Sequence, residues 1–173
     1  MTKPTCNTPT DNTPISYKPA ELITHRPPML LIDHIDQWGN DWLECLVDHL
    51  PGCSFADNAG KIPTWLSLEY MCQAIAALEG IQRLAKAKPI AMGFVMGCKR
   101  LEVNTPHFHL HQRIRVRVEE EMKNQTSLGV YSCQITDFDE QSENNKAVLA
   151  HATIKAIMPE NPESLLNLKR RNN

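Results

Sequence analysis

The sequence predicts an α+β domain in which a curved antiparallel sheet wraps one long central helix. Three observations carry that expectation. The first is the stretch from Pro63 to about Ala87, PTWLSLEYMCQAIAALEGIQRLAKA, where Ser67, Glu69 and Gln73 are the only strongly polar side chains between Trp65 and Leu78. A helix that is apolar nearly all round has to be enclosed by other parts of the chain or by a partner. The second is alternation: apolar Leu43, Cys45 and Val47 with polar Glu44 and Asp48, and apolar Ile114, Val116 and Val118 with Arg113, Arg115 and Arg117, the period of a half-buried strand. The third is order. A hairpin precedes the helix, and a run of further strand-like segments follows it.

At 173 residues, with 42% hydrophobic and 22% charged side chains, the chain suits a single globular domain with one core. We place that domain at residues 16–160. Residues 1–15, rich in Thr, Pro and Asn, read as an N-terminal tail, and 161–173 as a C-terminal one. A formal net charge of −2 gives no reason to expect nucleic acid or an anionic membrane as partner. No apolar run reaches the roughly 18 residues of a membrane span. The opening MTKPTCNTPTDNTP has no apolar core of a secretory signal. Cys6, Cys45, Cys53, Cys72, Cys98 and Cys133 are scattered, with no metal-type spacing, and read as reduced thiols of a cytoplasmic protein.

Taken in order, Pro19 to Ile23 suits one short helical turn. Pro27-Pro28 fixes an extended approach to a strand from about Met29 to Trp38. Gly39-Asn40 turns the chain into the second strand, Trp42 to Leu50, completing a hairpin. Residues 51–62 are loop by composition and deliver the chain to Pro63, at or just before the first helical turn. Thr64 or Ser67 is the expected cap. Lys86 to Pro89 ends helical periodicity. Ile90 to Val103 reads as a strand in which Gly93 and Gly97 mark a bulge or a close backbone approach. Asn104 to His111 is a loop-like crossover. Gln112 to Met122 places Ile114, Val116 and Val118 on one face and Arg113, Arg115 and Arg117 on the other. Thr126 to Phe138 and Lys146 to Met158 are the last strands, with turns at 123–125 and 139–145. One curved sheet around one helix is the hot-dog arrangement. It covers the helix incompletely, so such domains usually pair.

Two segments carry a family resemblance. His25-Arg26-Pro27-Pro28-Met29-Leu30-Leu31-Ile32-Asp33 is similar to the opening HRxPxLLxD segment of the 3-hydroxyacyl-acyl-carrier-protein dehydratases. Leu68-Glu69-Tyr70-Met71-Cys72-Gln73-Ala74 is similar to their helix signature E-x-M-A-Q-A. The Glu-Tyr-Met-x-Gln-Ala form of this helix segment most resembles the aryl-polyene-cluster dehydratase-like subfamily, and the likeness covers roughly residues 17–159. It implies a hot-dog fold and dehydration of 3-hydroxyacyl thioesters to trans-2-enoyl thioesters, with an acyl carrier protein presenting the substrate on its phosphopantetheine arm. Neither cofactor nor metal is implied. The chain departs from the family at two places: the family's Gly after the helix-leading Pro is absent, with Thr64 following Pro63, and the loop before the helix differs. Typical members carry a catalytic His in a G-H-F-P loop before the helix; here the loop reads Gly52-Cys53-Ser54-Phe55-Ala56-Asp57, with Phe55 kept and the His absent.

Dehydration needs a base for the α-proton, an acid for the departing hydroxyl and a stabiliser for charge growing on the thioester carbonyl. The resemblance assigns Glu69 to acid–base work. The alternative is a structural carboxylate paired with a cation. Candidates for the missing base in this chain are Asp57, His25 and His49, against an ordinary turn residue for Asp57 and hydrogen-bonded structural histidines. N–H groups near Thr64 to Leu66 suit the carbonyl. Phe55, Pro63, Thr64, Trp65 and Gln73 are the expected substrate-binding residues, with Gln73 orienting Glu69 or the loop. In the family the His and Glu of one site come from different subunits, so the resemblance implies a homodimer or a heterodimer with a paralogous hot-dog subunit that supplies the His. His107, His109 and His111 would line one face of a strand, a weak metal-like pattern that reads better as a solvated edge. The Arg113, Arg115, Arg117 stripe reads as a solvated face. It could instead attract an acidic carrier protein, as could Lys99 and Arg100. Two alternatives stand beside the dehydratase: a hot-dog acyl thioesterase, and a non-catalytic acyl-binding subunit.

Overall fold

The computed structural model describes residues 16–124, 127–138 and 147–159. Both expected tails, Cys6, Gln125 and the turn at 139–145 lie outside them. The elements are α1 (Pro19–Leu22), β1 (His34–Trp38), β2 (Trp42–Asp48), β3 (Lys61–Pro63), α2 (Leu66–Leu84), β4 (Phe94–Val103), β5 (His107–His109), β6 (Arg113–Lys123), β7 (Leu128–Asp137) and β8 (Val148–Ile157). Six strands form one antiparallel sheet in the order β1-β2-β6-β7-β8-β4, and β3 pairs with β5 in a small ribbon. The 19-residue helix α2 lies against the large sheet, giving the α+β hot-dog architecture. No helix among the described residues is long and apolar enough to cross a membrane.

Alternation decides what each strand buries. Ile114, Val116 and Val118 of β6 are fully buried, as are Leu43 and Cys45 of β2 and Ile135 and Ile154 of β7 and β8. They meet Met71, Ala74, Ala77 and Leu78 of α2 in one core. The opposite face of β6 is more than the expected solvated stripe. Register sets Arg113 opposite Asp48 and Arg117 opposite Glu44. Arg113 chelates Asp48, holding that carboxyl below its usual range. Arg115 and Arg117 each donate to Glu44 at 2.8 Å, and Arg115 also reaches Asp36 at 3.3 Å. The guanidinium of Arg117 lies 4.6 Å from the Trp42 ring centroid. Cross-strand acids therefore already balance these cations.

Several boundaries differ from the sequence reading. The first strand begins at His34 rather than Met29, because Met29 and Leu30 donate to Arg26 O in a turn and a helix side chain claims the backbone at 29–31. Pro63 belongs to β3, not to the helix. Strands β3 and β5 lie inside segments expected to be loops; at three residues each they are too short to show a period, yet Ile62 and Phe108 are fully buried. Helix α2 starts at Leu66, with Trp65 as its N-cap and no side-chain cap from Thr64 or Ser67. It stops at Leu84 because Ala87, at φ 52, turns left-handed and lets Lys88 N–H reach Arg83 O at 2.9 Å. Strand β4 begins at Phe94, and its register slips between Val95 and Gly97, where the sequence suggests a bulge.

Gly80 and the sheet edge fix how the helix sits. A Cβ at Gly80 would lie 2.3 Å from Leu22 O, so the missing side chain lets α1 rest on α2. At the opposite side β4 closes the sheet as an edge strand. It exposes Val95, Met96 and Leu101, and Met92 just before it is exposed too. Helix α2 is accordingly not wrapped on all sides: Trp65 is exposed, and Leu68, Glu69, Cys72 and Ala76 are half-buried along one stripe.

Candidate active site

Glu69 sits on that stripe, one turn into α2. Gln73, one turn further, is fully buried and fully engaged. Its Nε2 donates to Glu69 Oε1 and to Met29 O, both at 2.8 Å, and its Oε1 accepts from Leu31 N–H at 2.8 Å. One carboxamide thus joins the carboxylate on the helix to the loop at 29–31. That loop also carries His25. Arg26 steadies it by donating to Ile23 O at 2.8 Å and His25 O at 2.7 Å. The result places His25 Nε2 3.7 Å from Glu69 Oε1, an ion-pair distance rather than a hydrogen bond. Among the described residues His25 Nδ1 is buried without a hydrogen-bond partner.

Glu69 and His25 form the polar end of a cavity of about 150 Å³. Thr24 adjoins that end, and most of the remaining wall is apolar: Ile75 and Ala76 from α2, Phe94 from β4 and Met158 beyond β8. Cys72 also lines it. Burial, and after it the charge of Glu69, push this thiol up to about 12, so Cys72 stays a protonated wall rather than a nucleophile. The cavity lies beside the β4 edge, through Gly93, Phe94 and Val95.

The other expected site residues are placed elsewhere. Phe55 and Trp65 pack edge to face at 5.7 Å, one turn before Glu69 on the helix, and do not line the cavity. Pro63 pairs with His107 across β3 and β5, and Thr64 O accepts from Ser67 N–H at 3.0 Å. Asp57 is exposed. Its Oδ1 accepts from Ala59 and Lys61 N–H at 2.8 Å, so it shapes its own turn, and those bonds hold its carboxyl below the usual range. His49 is buried against Phe108, with its Nε2 3.1 Å from Tyr70 Oη; burial pushes the imidazole down to about 4. His107 and His109 meet ring to ring at 4.5 Å, and among the described residues no group of His, Cys, Asp or Glu is placed to hold a metal.

Two features escape the sequence reading. The segment 91–95 and Met158 supply cavity wall, although they are distant in sequence from Glu69. Glu79 is a further carboxylate on α2, buried and bonded to Tyr131 Oη and Lys123 Nζ, both at 2.5 Å. A charged residue inside the run AALEGI was its available signal.

The ApeP-like family, described as ApeP dehydratase, matches residues 17–167. No curated protein matches the sequence. Among solved structures, the dehydratase heterocomplex ApeI:P from Xenorhabdus doucetiae aligns over 91% of this chain and 99% of that one, with a TM-score of 0.79 at 19% identity. The E. coli PaaI protein from the phenylacetic acid degradation operon aligns over 71% and 80%, with a TM-score of 0.53 at 10% identity. A hypothetical thioesterase with coenzyme A from Streptococcus pneumoniae TIGR4 aligns over 72% and 84%, with a TM-score of 0.53 at 14% identity. At such identities these structures establish the shared fold.

Proposed function

The chain belongs to the ApeP dehydratase family and is a dehydratase; from that premise we propose that it removes water from 3-hydroxyacyl thioesters presented by an acyl carrier protein, as the Glu-bearing subunit of a site completed by a second hot-dog subunit. The observation that carries this reading is the setting of Glu69. It is the carboxylate that Gln73 aims along the open stripe of α2, into a largely apolar cavity beside an edge strand.

In this reading the acyl chain lies along Ile75, Ala76, Phe94 and Met158, and the 3-hydroxyl meets Glu69. Glu69 delivers the proton with which the hydroxyl leaves as water. His25 Nε2, 3.7 Å away, flanks the Glu69 carboxyl at the polar end of the cavity. N–H groups at the head of α2, by Trp65 and Leu66, face the thioester carbonyl as charge grows there. The α-proton goes to a base from the second subunit. The loop at 52–57 holds no His, and Asp57 is engaged in its own turn. The exposed β4 edge beside the cavity, apolar at Val95, Met96 and Leu101, suits that subunit. The Xenorhabdus doucetiae protein is itself a dehydratase heterocomplex, which supports the pairing here. The free thiols of Cys45, Cys53, Cys72, Cys98 and Cys133 suit a cytoplasmic enzyme.

The test is turnover of a 3-hydroxyacyl carrier-protein substrate by the chain alone, by a paralogous hot-dog subunit carrying the loop His, and by the two together. We expect enoyl product to require, or be strongly raised by, the pair. Full activity from this chain alone would remove the shared site; release of free thiol from saturated thioesters without alkene would replace the dehydratase with a thioesterase.

A further inference from the structure

Gly93 and Met158 meet on the wall of the Glu69 cavity. Met158 follows β8, is 6% exposed, and is fixed by its N–H donating to Ser127 O at 3.1 Å. A Cβ built at Gly93 would lie 2.8 Å from Met158 Cε, while the nearest backbone atom, Ile157 O, is at an ordinary 3.6 Å. The conflict is therefore with the methyl end of Met158 alone. The φ of Gly93 is outside the left-handed region, which Gly52 and Gly60 do occupy. The backbone does not require glycine at 93. What requires it is the space filled by the thioether.

We infer that Met158, seated against the bare backbone of Gly93, sets the length of acyl chain the cavity accepts. This rests on the proposed function for the identity of the ligand as an acyl chain. Both residues line the same cavity as Glu69, so volume exchanged between them is volume available to substrate. A methionine has three rotatable side-chain bonds, and a methyl added at Gly93 displaces its tip rather than the fold. The new methyl and the displaced tip both take space from the wall. Removing the thioether returns space. The two substitutions thus act in opposite directions on one quantity, which a purely structural role for either residue does not produce. Each further buried methylene of a ligand is worth about fourfold in affinity.

The experiment measures equilibrium binding of butyryl-, octanoyl- and dodecanoyl-pantetheine to the full-length chain, with and without its hot-dog partner, and in parallel the dehydration of the matching 3-hydroxyacyl thioesters by the complex. Met158→Ala is expected to raise the ratio of long- to short-chain affinity by on the order of tenfold, and Gly93→Ala to lower it by a similar factor. Met158→Leu, which keeps a bulky apolar tip, should stay near the wild-type ratio and controls for folding. Unchanged ratios in both Met158→Ala and Gly93→Ala overturn the inference, as does a shift of the same sign in both, or no binding of any of these probes. If binding ratios shift as expected while no thioester is dehydrated, the inference stands and the proposed reaction falls. Dehydration with unshifted ratios gives the converse.

Discussion

Gln73 Nε2 donates to Glu69 Oε1 at 2.8 Å from a side chain that is itself wholly buried. The same carboxamide holds Met29 O and Leu31 N–H. The carboxylate is therefore aimed by a group with no freedom of its own, and the loop that brings His25 to Glu69 hangs on that group. Gln73 is a positioning residue in this arrangement, with its donors and acceptor turned to the chain rather than to substrate.

Replacing Gln73 by Ala leaves two backbone groups of the loop and one carboxylate oxygen without their partner. The expected loss is about 1–3 kcal/mol of stability from the unpaired groups, read by denaturant unfolding. In the complex, kcat is expected to fall roughly tenfold or more with KM little changed, because the residue orients Glu69 and does not touch substrate. Stability lost with kcat intact would separate the loop from the site.

Gly80→Ala sets two effects against each other. Alanine favours a helix interior by about 1 kcal/mol over glycine. Here the added Cβ lands 2.3 Å from Leu22 O, a backbone atom that moves only if α1 moves. We expect the clash to win, with a net loss of roughly 1–3 kcal/mol and a lower Tm. A rise in Tm would mean that α1 is not held against α2 in solution.

Legibility from sequence follows the length of each signal. The alternating segments and the long apolar run yield their strands and helix within a few residues, because many residues repeat one pattern. Strands β3 and β5 carry three residues each and no pattern, so only the pairing of Ile62 with Phe108 reveals them. The segment 29–33 reads as strand by composition, but Gln73, distant in sequence, takes its backbone bonds. At the site, Glu69 and Gln73 stand out in the sequence as polar residues four apart in an apolar helix. The nearness of His25 depends on a loop path that no local pattern encodes. Asp57 belongs to a turn whose donors are its own neighbours, as the alternative reading of an ordinary turn residue has it.

The network at Glu79 predicts a cost for a single deletion. Glu79 accepts from Tyr131 Oη and Lys123 Nζ, and Lys123 also donates to Gln82 Oε1 at 3.0 Å. Glu79→Ala leaves the buried Tyr131 hydroxyl without its acceptor, while Lys123 keeps Gln82 and Glu120, with an expected loss of about 1–3 kcal/mol. Adding Tyr131→Phe should recover a substantial part of it in chemical denaturation. No recovery would place the cost in packing instead.

His49 gives the acid limb of stability a specific contribution. Burial lowers its folded-state value to about 4 from an ordinary 6.5, so over that interval the unfolded chain binds a proton that the folded chain does not. Stability from this group is complete above about pH 6.5 and is lost as pH falls towards about 4. His49→Gln should show a shallower fall across this window in unfolding experiments at stepped pH. An equal slope in both proteins would assign the acid limb to the carboxylates, Asp48 among them.

The measurement that bears most directly on the role of Glu69 is the turnover of Glu69→Gln in the assembled complex on a 3-hydroxyacyl carrier-protein substrate. The amide keeps the size of the side chain and removes its proton transfer. If Glu69 is the general acid, kcat falls roughly a hundred- to ten-thousandfold, with the complex intact and substrate still bound. Turnover within about threefold of wild type, in a complex of the same composition, would contradict that role, since such a change is far below the contribution of a general acid.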